Sequence, residues 1–133
     1  MLKKSYTGLI LWLIVYTVTI FLPAFLPTDD GGLLTRIIMG WTAIAILLLM
    51  LMIYISEKVY WINGVTYEQA VEAGSARRKA FALRHLVRFG ICTAIYLLFA
   101  VVGQIIGWPF WIDIIVFTVG VIATAISTIG ITL

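Results

Sequence analysis

Two charged side chains stand inside long apolar runs. Arg36 follows Leu33, Leu34 and Thr35, and Asp113 follows Phe110, Trp111 and Ile112. A charge in a hydrocarbon layer is costly, so it is usually paired or kept in contact with water. Two readings follow. Each residue can snorkel alone to a headgroup region, since each lies near one end of its run. Alternatively, the two meet as an interhelical ion pair. Asp29 and Asp30, in the adjacent loop, compete for the same guanidinium.

Small and polar residues recur at helical spacing around these charges. Asp113, Phe117, Gly120, Thr124 and Ser127 fall along one helix face, with Thr118 and Thr128 close by. Thr93, Tyr96, Ala100, Gly103 and Gly107 make a second stripe, with Gln104 adjacent. Arg36, Gly40 and Ala43 make a third. Small residues let helices approach closely, and packing and interhelical hydrogen bonds drive association in lipid. The plain reading is therefore packing, within one bundle or a homo-oligomer. The alternative is a path for a small solute, lined by Tyr96, Gln104, Thr118, Thr124 and Ser127. No ionisable residue falls near the middle of a run, so a proton relay lacks its usual residue.

The other reactive residues are scattered. His85 is the single histidine and sits in a basic stretch, which points to a solvated or interfacial side chain. Cys92 is the single cysteine, which leaves no intrachain disulfide. No second histidine or cysteine stands at metal-ligand spacing. Long apolar runs separate His85 from Asp29, Asp30 and Asp113, so no Ser-His-Asp set assembles. Asp29-Asp30-Gly31-Gly32 offers two carboxylates, short of the roughly six to eight oxygens that calcium takes. It reads as an acidic turn. No glycine-rich phosphate loop is present. The expectation is a non-enzymatic protein with no cofactor and no metal.

The elements that position these residues follow from composition. The 133 residues are 63% hydrophobic and 11% charged. Soluble domains carry about 25% charged residues, so a soluble domain is excluded. Four apolar stretches are long enough to cross a bilayer, at about residues 6–25, 33–55, 89–106 and 110–132. They lack the polar–apolar alternation of barrel strands. The expected fold is all-α: an integral membrane bundle of four transmembrane helices with short loops. Pro23 and Pro27 mark a span end rather than a signal-peptide cleavage site.

Charge sets the expected orientation. Lys3, Lys4, Lys58, Arg77, Arg78, Lys79, Arg84 and Arg88 lie outside the spans on one side, and Arg36 is the exception. The positive-inside rule then places both termini and the 56–88 loop in the cytoplasm. The expected location is the cytoplasmic (inner) membrane.

The 56–88 loop carries several local signals. Tyr54, Tyr60 and Trp61 suit an interfacial aromatic belt. Asn63-Gly64 reads as a helix C-cap after the second span, or as the turn of a hairpin over 59–67. Thr66 and Gln69 fit a capping box, opening a short helix that stops at Gly74. Ser75 is placed to cap the next helix, which runs into the third span. On that helix Arg77, Arg84 and Arg88 share a face, with His85 and Arg78 beside them. Ala76, Ala80, Leu83, Leu86 and Val87 form the opposite, apolar face.

Arg77, Arg78, Lys79, Arg84 and Arg88 are candidate contacts for anionic lipids, besides acting as topology determinants. A short, tethered basic patch argues against nucleic acid. The expected partners are the bilayer and either a homo-oligomer or a larger membrane protein. The expected role is an accessory or regulatory interaction subunit; the alternative is an oligomeric channel or carrier for a small solute.

Overall fold

A computed structural model describes residues 2–133. Four helices and no strands are found among them: α1 (Thr7–Thr19), α2 (Gly31–Ser56), α3 (Tyr67–Ile106) and α4 (Phe110–Thr128). Counting the 3₁₀ turn that continues α1, all four are long and apolar enough to span a membrane. The α-helical part of α1 is short, at about 20 Å. Pro23 sits at the start of a 3₁₀ turn, Leu22–Phe25, that carries the chain on.

The core joins α2, α3 and α4. Ala43, Tyr96 and Ala100 are buried together, with Met39, Val116 and Phe117 against them. Gly40 lies close to Leu97, and Gly90 close to Leu47. The Thr93 hydroxyl donates across the interface to the Ala43 carbonyl at 3.2 Å. The small-residue stripes of α2 and α3 are therefore their mutual contact. Helix α1 buries no residue and lies against α2 alone by its polar contacts. Trp12 donates to the Ala45 carbonyl at 2.9 Å, Tyr16 bonds Thr42 at 3.0 Å, and Trp41 donates to Thr19 at 2.9 Å.

A second core lies at the basic end. Ile53, Val59, Tyr60, Ala70, Phe81 and Ala82 are buried together. The segment from Ser75 runs about 48 Å as one helix, longer than a hydrocarbon layer of about 30 Å. Its first turns therefore extend past α4, and the 57–66 connection packs on them. Tyr60 is buried rather than belted around the outside. Its hydroxyl accepts from Ser5 N at 2.9 Å and lies 3.0 Å from the Ser5 carbonyl. Trp61 donates to Ser5 O, and Tyr67 to Leu2 O. The chain before α1 is thus clamped by three aromatic residues.

The local signals resolve as follows. The capping box is present: Thr66 Oγ1 accepts from Gln69 N, and Gln69 Oε1 accepts from Thr66 N. Helix α3 breaks at Gly74, whose φ of 74° and ψ of 166° suit glycine almost alone. Asn63-Gly64 is neither a hairpin nor the cap of α2. It forms a turn closed by Val65 N to Ile62 O, after a 3₁₀ turn at Val59–Trp61. The cap of α2 falls earlier, at Glu57, in the left-handed region with φ 58°. The buried face of the 75–88 segment is also not the expected one. It is Arg78, Phe81, Ala82 and His85, while Leu83 and Val87 are exposed. His85 is thus buried rather than solvated. Partner elements, and not the helix's own polarity, chose that face.

Glu57 explains the choice. Its carboxylate accepts from Ser75 Oγ at 2.7 Å and from Arg78 Nε and Nη2 at 3.0 and 2.8 Å. Lys79 approaches at 3.7 Å. Arg78 Nη1 donates to the Ala70 carbonyl at 2.8 Å. One guanidinium therefore ties the end of α2 to both sides of the Gly74 break. Ser75 spends its hydroxyl on Glu57 rather than on capping its own helix.

Ser75 first, then Arg78 and Lys79, hold the Glu57 carboxyl below its ordinary range, against the effect of burial. A lowered folded pKa gives stability that is present above the ordinary carboxylate value and is lost as pH falls through the lowered one. The thermal midpoint of the detergent-solubilised chain should fall between about pH 5 and pH 3. Glu57→Gln should lower stability at neutral pH and make that acid slope shallower. Equal slopes for the two proteins would show that Glu57 is not a source of the pH dependence.

Candidate functional site

At the opposite end from the basic loop, three helices close on a polar cluster. Gly107, with φ 78°, ends α3 in the left-handed region, and Pro109 starts α4. Trp108, held between them, folds back over α3. Its indole occupies the space where a Cβ on Gly103 would fall, and packs at a tilt on Phe99 at 4.6 Å between centroids. Glycine at 103 is thus needed for this close approach. The tight turn brings Asp113, in the first turn of α4, opposite Arg36, in the second turn of α2.

Arg36 and Asp113 meet at 3.0 Å between Nη2 and Oδ2, with Nε at 3.1 Å from the same oxygen. Asp113 is 0% exposed and Arg36 7%. The guanidinium also donates through Nη1 to Gln104 Oε1 at 2.8 Å and through Nη2 to the Trp108 carbonyl at 2.7 Å. Trp108 Nε1 donates to Asp113 Oδ2 at 3.2 Å. Gln104 Nε2 continues the chain to Asp30 Oδ2 at 3.2 Å. Asp30 Oδ1 in turn caps α2 at Leu33 N, 2.9 Å away. The Leu33 amide, then Gln104, hold the exposed Asp30 carboxyl below its ordinary value. Arg36 thus reaches Asp113 directly and Asp30 through Gln104. Asp29 is exposed and stands apart.

All the contacts of Asp113 converge on Oδ2. Its Oδ1, and the hydroxyl of Tyr96, are buried without a hydrogen-bond partner among the described residues. Tyr96 packs edge-on against Phe117 at 5.1 Å, one helical turn from Asp113. Arrayed acceptors around a guanidinium give an interhelical staple. Chemically, the cluster fixes charge rather than exchanging it.

The remaining candidates are dispersed. Thr118 is exposed, off the Asp113 face. Thr124 donates to Gly120 O at 2.7 Å, and Ser127 to Thr124 O at 2.7 Å. Both hydroxyls are satisfied within α4. Gly120 faces Cys92 of α3, and Tyr96, Gly120, Thr124 and Ser127 line a groove of about 370 Å³ between α3 and α4. Arg88 lies on that groove too. Gln104 belongs to the Arg36 cluster instead, and Thr118 to neither.

At the basic end, Arg77, Lys79, Arg84 and Arg88 are exposed, whereas Arg78 is buried on Glu57 and is withdrawn from any lipid surface. His85 Nδ1 lies 3.0 Å from the Phe81 carbonyl, one turn back. Burial holds the imidazole below its ordinary pKa, with the Phe81 carbonyl acting the other way and Arg88 adding to the fall. No group of three or more potential metal ligands occurs among the described residues.

Sequence reasoning missed Trp108, which bridges α3, α2 and α4; its signal was its place between Gly107 and Pro109. Glu57 gathers Ser75, Arg78 and Lys79, and its pairing with Arg78 is one that their nearness within the 56–88 loop allows.

Removing one partner of a buried ion pair leaves the other charge uncompensated, at a cost of about 3–5 kcal/mol. Arg36→Met and Asp113→Leu should each destabilise the bundle by about that much in detergent unfolding. The double variant should lose less than either single one. Charge exchange should recover only part of the loss, because Gln104 and the Trp108 carbonyl need a donor at position 36. Additive losses in the double variant would count against the staple.

No protein-family model matches the chain, and no curated protein or solved structure is found to be similar to it.

Proposed function

We propose that this chain is a small, non-enzymatic, multi-pass protein of the cytoplasmic (inner) membrane that acts by association, as an accessory or regulatory subunit. The observation that carries the reading is the division of its charged groups. Arg36, Asp113, Glu57 and Arg78 are spent on one another and on holding helices together. Arg77, Lys79, Arg84 and Arg88 stay exposed at one end. Arg77, Arg84 and Arg88, with Lys79 exposed beside Glu57, thus make a mainly basic surface suited to recognition. The positive-inside rule puts that end, with both termini, in the cytoplasm. There each exposed basic residue near an anionic leaflet contributes about 1 kcal/mol of attraction. The weakly seated α1 and the exposed apolar side of α4 offer two further faces to a larger membrane partner or a second copy.

A second reading, an oligomeric channel or carrier for a small solute, is favoured by the α3–α4 groove. Its polar residues come from both walls, Thr93 and Tyr96 from α3 and Thr124 and Ser127 from α4, in a mostly apolar passage that Arg88 borders at the basic end.

Orientation is tested by impermeant thiol labelling in a Cys92→Ser background. Asn63→Cys should react only in inverted vesicles, and Asp29→Cys only in right-side-out vesicles. The opposite pattern would overturn the topology.

Function is tested with a photo-crosslinking residue in place of Ile115 on the exposed face of α4. One larger membrane protein should be captured at a reproducible mass. Capture of lipid alone would sink the association reading. Exclusive self-capture, with liposome flux that falls in Thr124→Val and Ser127→Ala, would replace it with the second reading.

A further inference from the structure

A crevice of about 980 Å³ opens at the basic end, between the short helix before Gly74, the first turns after it, and the end of α4. It straddles two environments. One wall is Ile122 and Ile126 of α4, both exposed apolar residues on a membrane-length helix. The other wall belongs to the 62–77 region, which lies beyond the ends of α2 and α4.

Several polar groups on the crevice keep free hydrogen-bonding capacity. Glu72 and Arg77 both line it, and neither forms an ion pair among the described residues. Gln69 uses its side-chain oxygen in the capping box, which leaves its NH₂ group free to donate. His85 lies 3.0 Å from the Phe81 carbonyl through Nδ1. With that nitrogen donating, Nε2 is left as an acceptor. The lining therefore holds one carboxylate and one guanidinium, with neutral groups from Gln69, His85, Asn63 and Thr132, beside an apolar wall.

That set matches a zwitterion on an acyl chain. A phosphate needs donors, and Arg77 and Gln69 supply them. A primary ammonium needs acceptors, and Glu72 and His85 supply them. A glycerol headgroup brings hydroxyls but no cation to balance Glu72, and a choline headgroup has no N–H to donate. We infer that the crevice binds the headgroup of phosphatidylethanolamine, with its acyl chains lying along Ile122 and Ile126. The inference needs the helices to cross a bilayer, but it does not depend on the association reading.

The full-length chain is purified from detergent containing equal parts of phosphatidylethanolamine, phosphatidylglycerol and phosphatidylcholine. Retained lipid is quantified by mass spectrometry. Phosphatidylethanolamine should dominate, and Glu72→Gln or Arg77→Gln should each reduce its retention about tenfold, the loss expected for one charged hydrogen bond. Asp29→Asn, at the far end of the molecule, should leave retention unchanged.

A second arm uses the unaltered protein, so that no variant need fold. Retention should fall stepwise as the headgroup amine is methylated once, twice and three times. Equal retention of the three lipids, indifference to methylation, or unchanged retention in both variants would overturn the proposal. Release of the chain from membranes by alkaline carbonate would instead mark failure of the membrane placement itself.

Discussion

A guanidinium inside an apolar bundle has five N–H groups and no water to receive them. Arg36 meets this demand with the Asp113 carboxylate, the Gln104 side chain and the Trp108 carbonyl. Those acceptors come from α4, α3 and the turn between them. The geometry of three helices is thus set by what one side chain must find. In lipid, apolar packing alone has little preference for one helix arrangement over another, so such polar demands carry much of the specificity. A buried ion pair is weak evidence for added stability, and its best-supported role is to fix register. The Arg36 contacts fit that role, since a shift of α4 by one turn would leave both charges unpaired.

The other end is built on different physics. At the basic end α3 is longer than a hydrocarbon layer, and in water apolar burial has a driving force of its own. The second core forms there, from Ile53, Val59, Tyr60, Phe81 and their neighbours. Glu57 and Arg78 sit at its edge and tie it to the break at Gly74. The two ends therefore hold the bundle by unlike means: a polar cluster around a buried ion pair at one, and a hydrophobic core rimmed by an ion pair at the other. Between them the helices need only approach closely, and Gly40, Ala43, Gly90 and Thr93 allow it.

Much of this was legible in the residues. Apolar run length pointed to four helices long enough to span a membrane, and four are found, although α3 begins well before its apolar run. The stripe of Thr93, Tyr96, Ala100 and Gly103 proved to be the buried face of α3, since small residues in lipid have close packing as their main use. The basic segment was harder. Its amphipathic pattern pointed to Leu83 and Val87 as the inner face, yet Arg78 and His85 are the ones buried. Periodicity assumes that burial follows apolarity. Here a long-range partner, Glu57, outweighed that tendency, and no local pattern records a contact across 21 residues. The clustering of Gln104 with Arg36 was likewise invisible. It depends on a tight turn that folds Trp108 back, and on the absence of a side chain at Gly103.

The uneven distribution of these polar anchors has a consequence for α1. Helices α2, α3 and α4 share charged or carboxamide links at one end, whereas α1 shares none. It is held by Trp12, Tyr16 and Thr19, which recur at helical spacing and meet only α2. Each of those is a single neutral hydrogen bond, worth about 0.5–1.5 kcal/mol net in water and about 0.6 kcal/mol on average in a bilayer. The chain before α1 is clamped separately, by Tyr60, Trp61 and Tyr67. Helix α1 is therefore tethered at its start and only lightly seated along its length. A helix that supplied an acceptor for Trp41, a partner for Thr42 and a donor for the Ala45 carbonyl would satisfy the α1 face of α2 without disturbing the Arg36 staple. That makes the α1–α2 seam the least costly place in the bundle for another protein to enter.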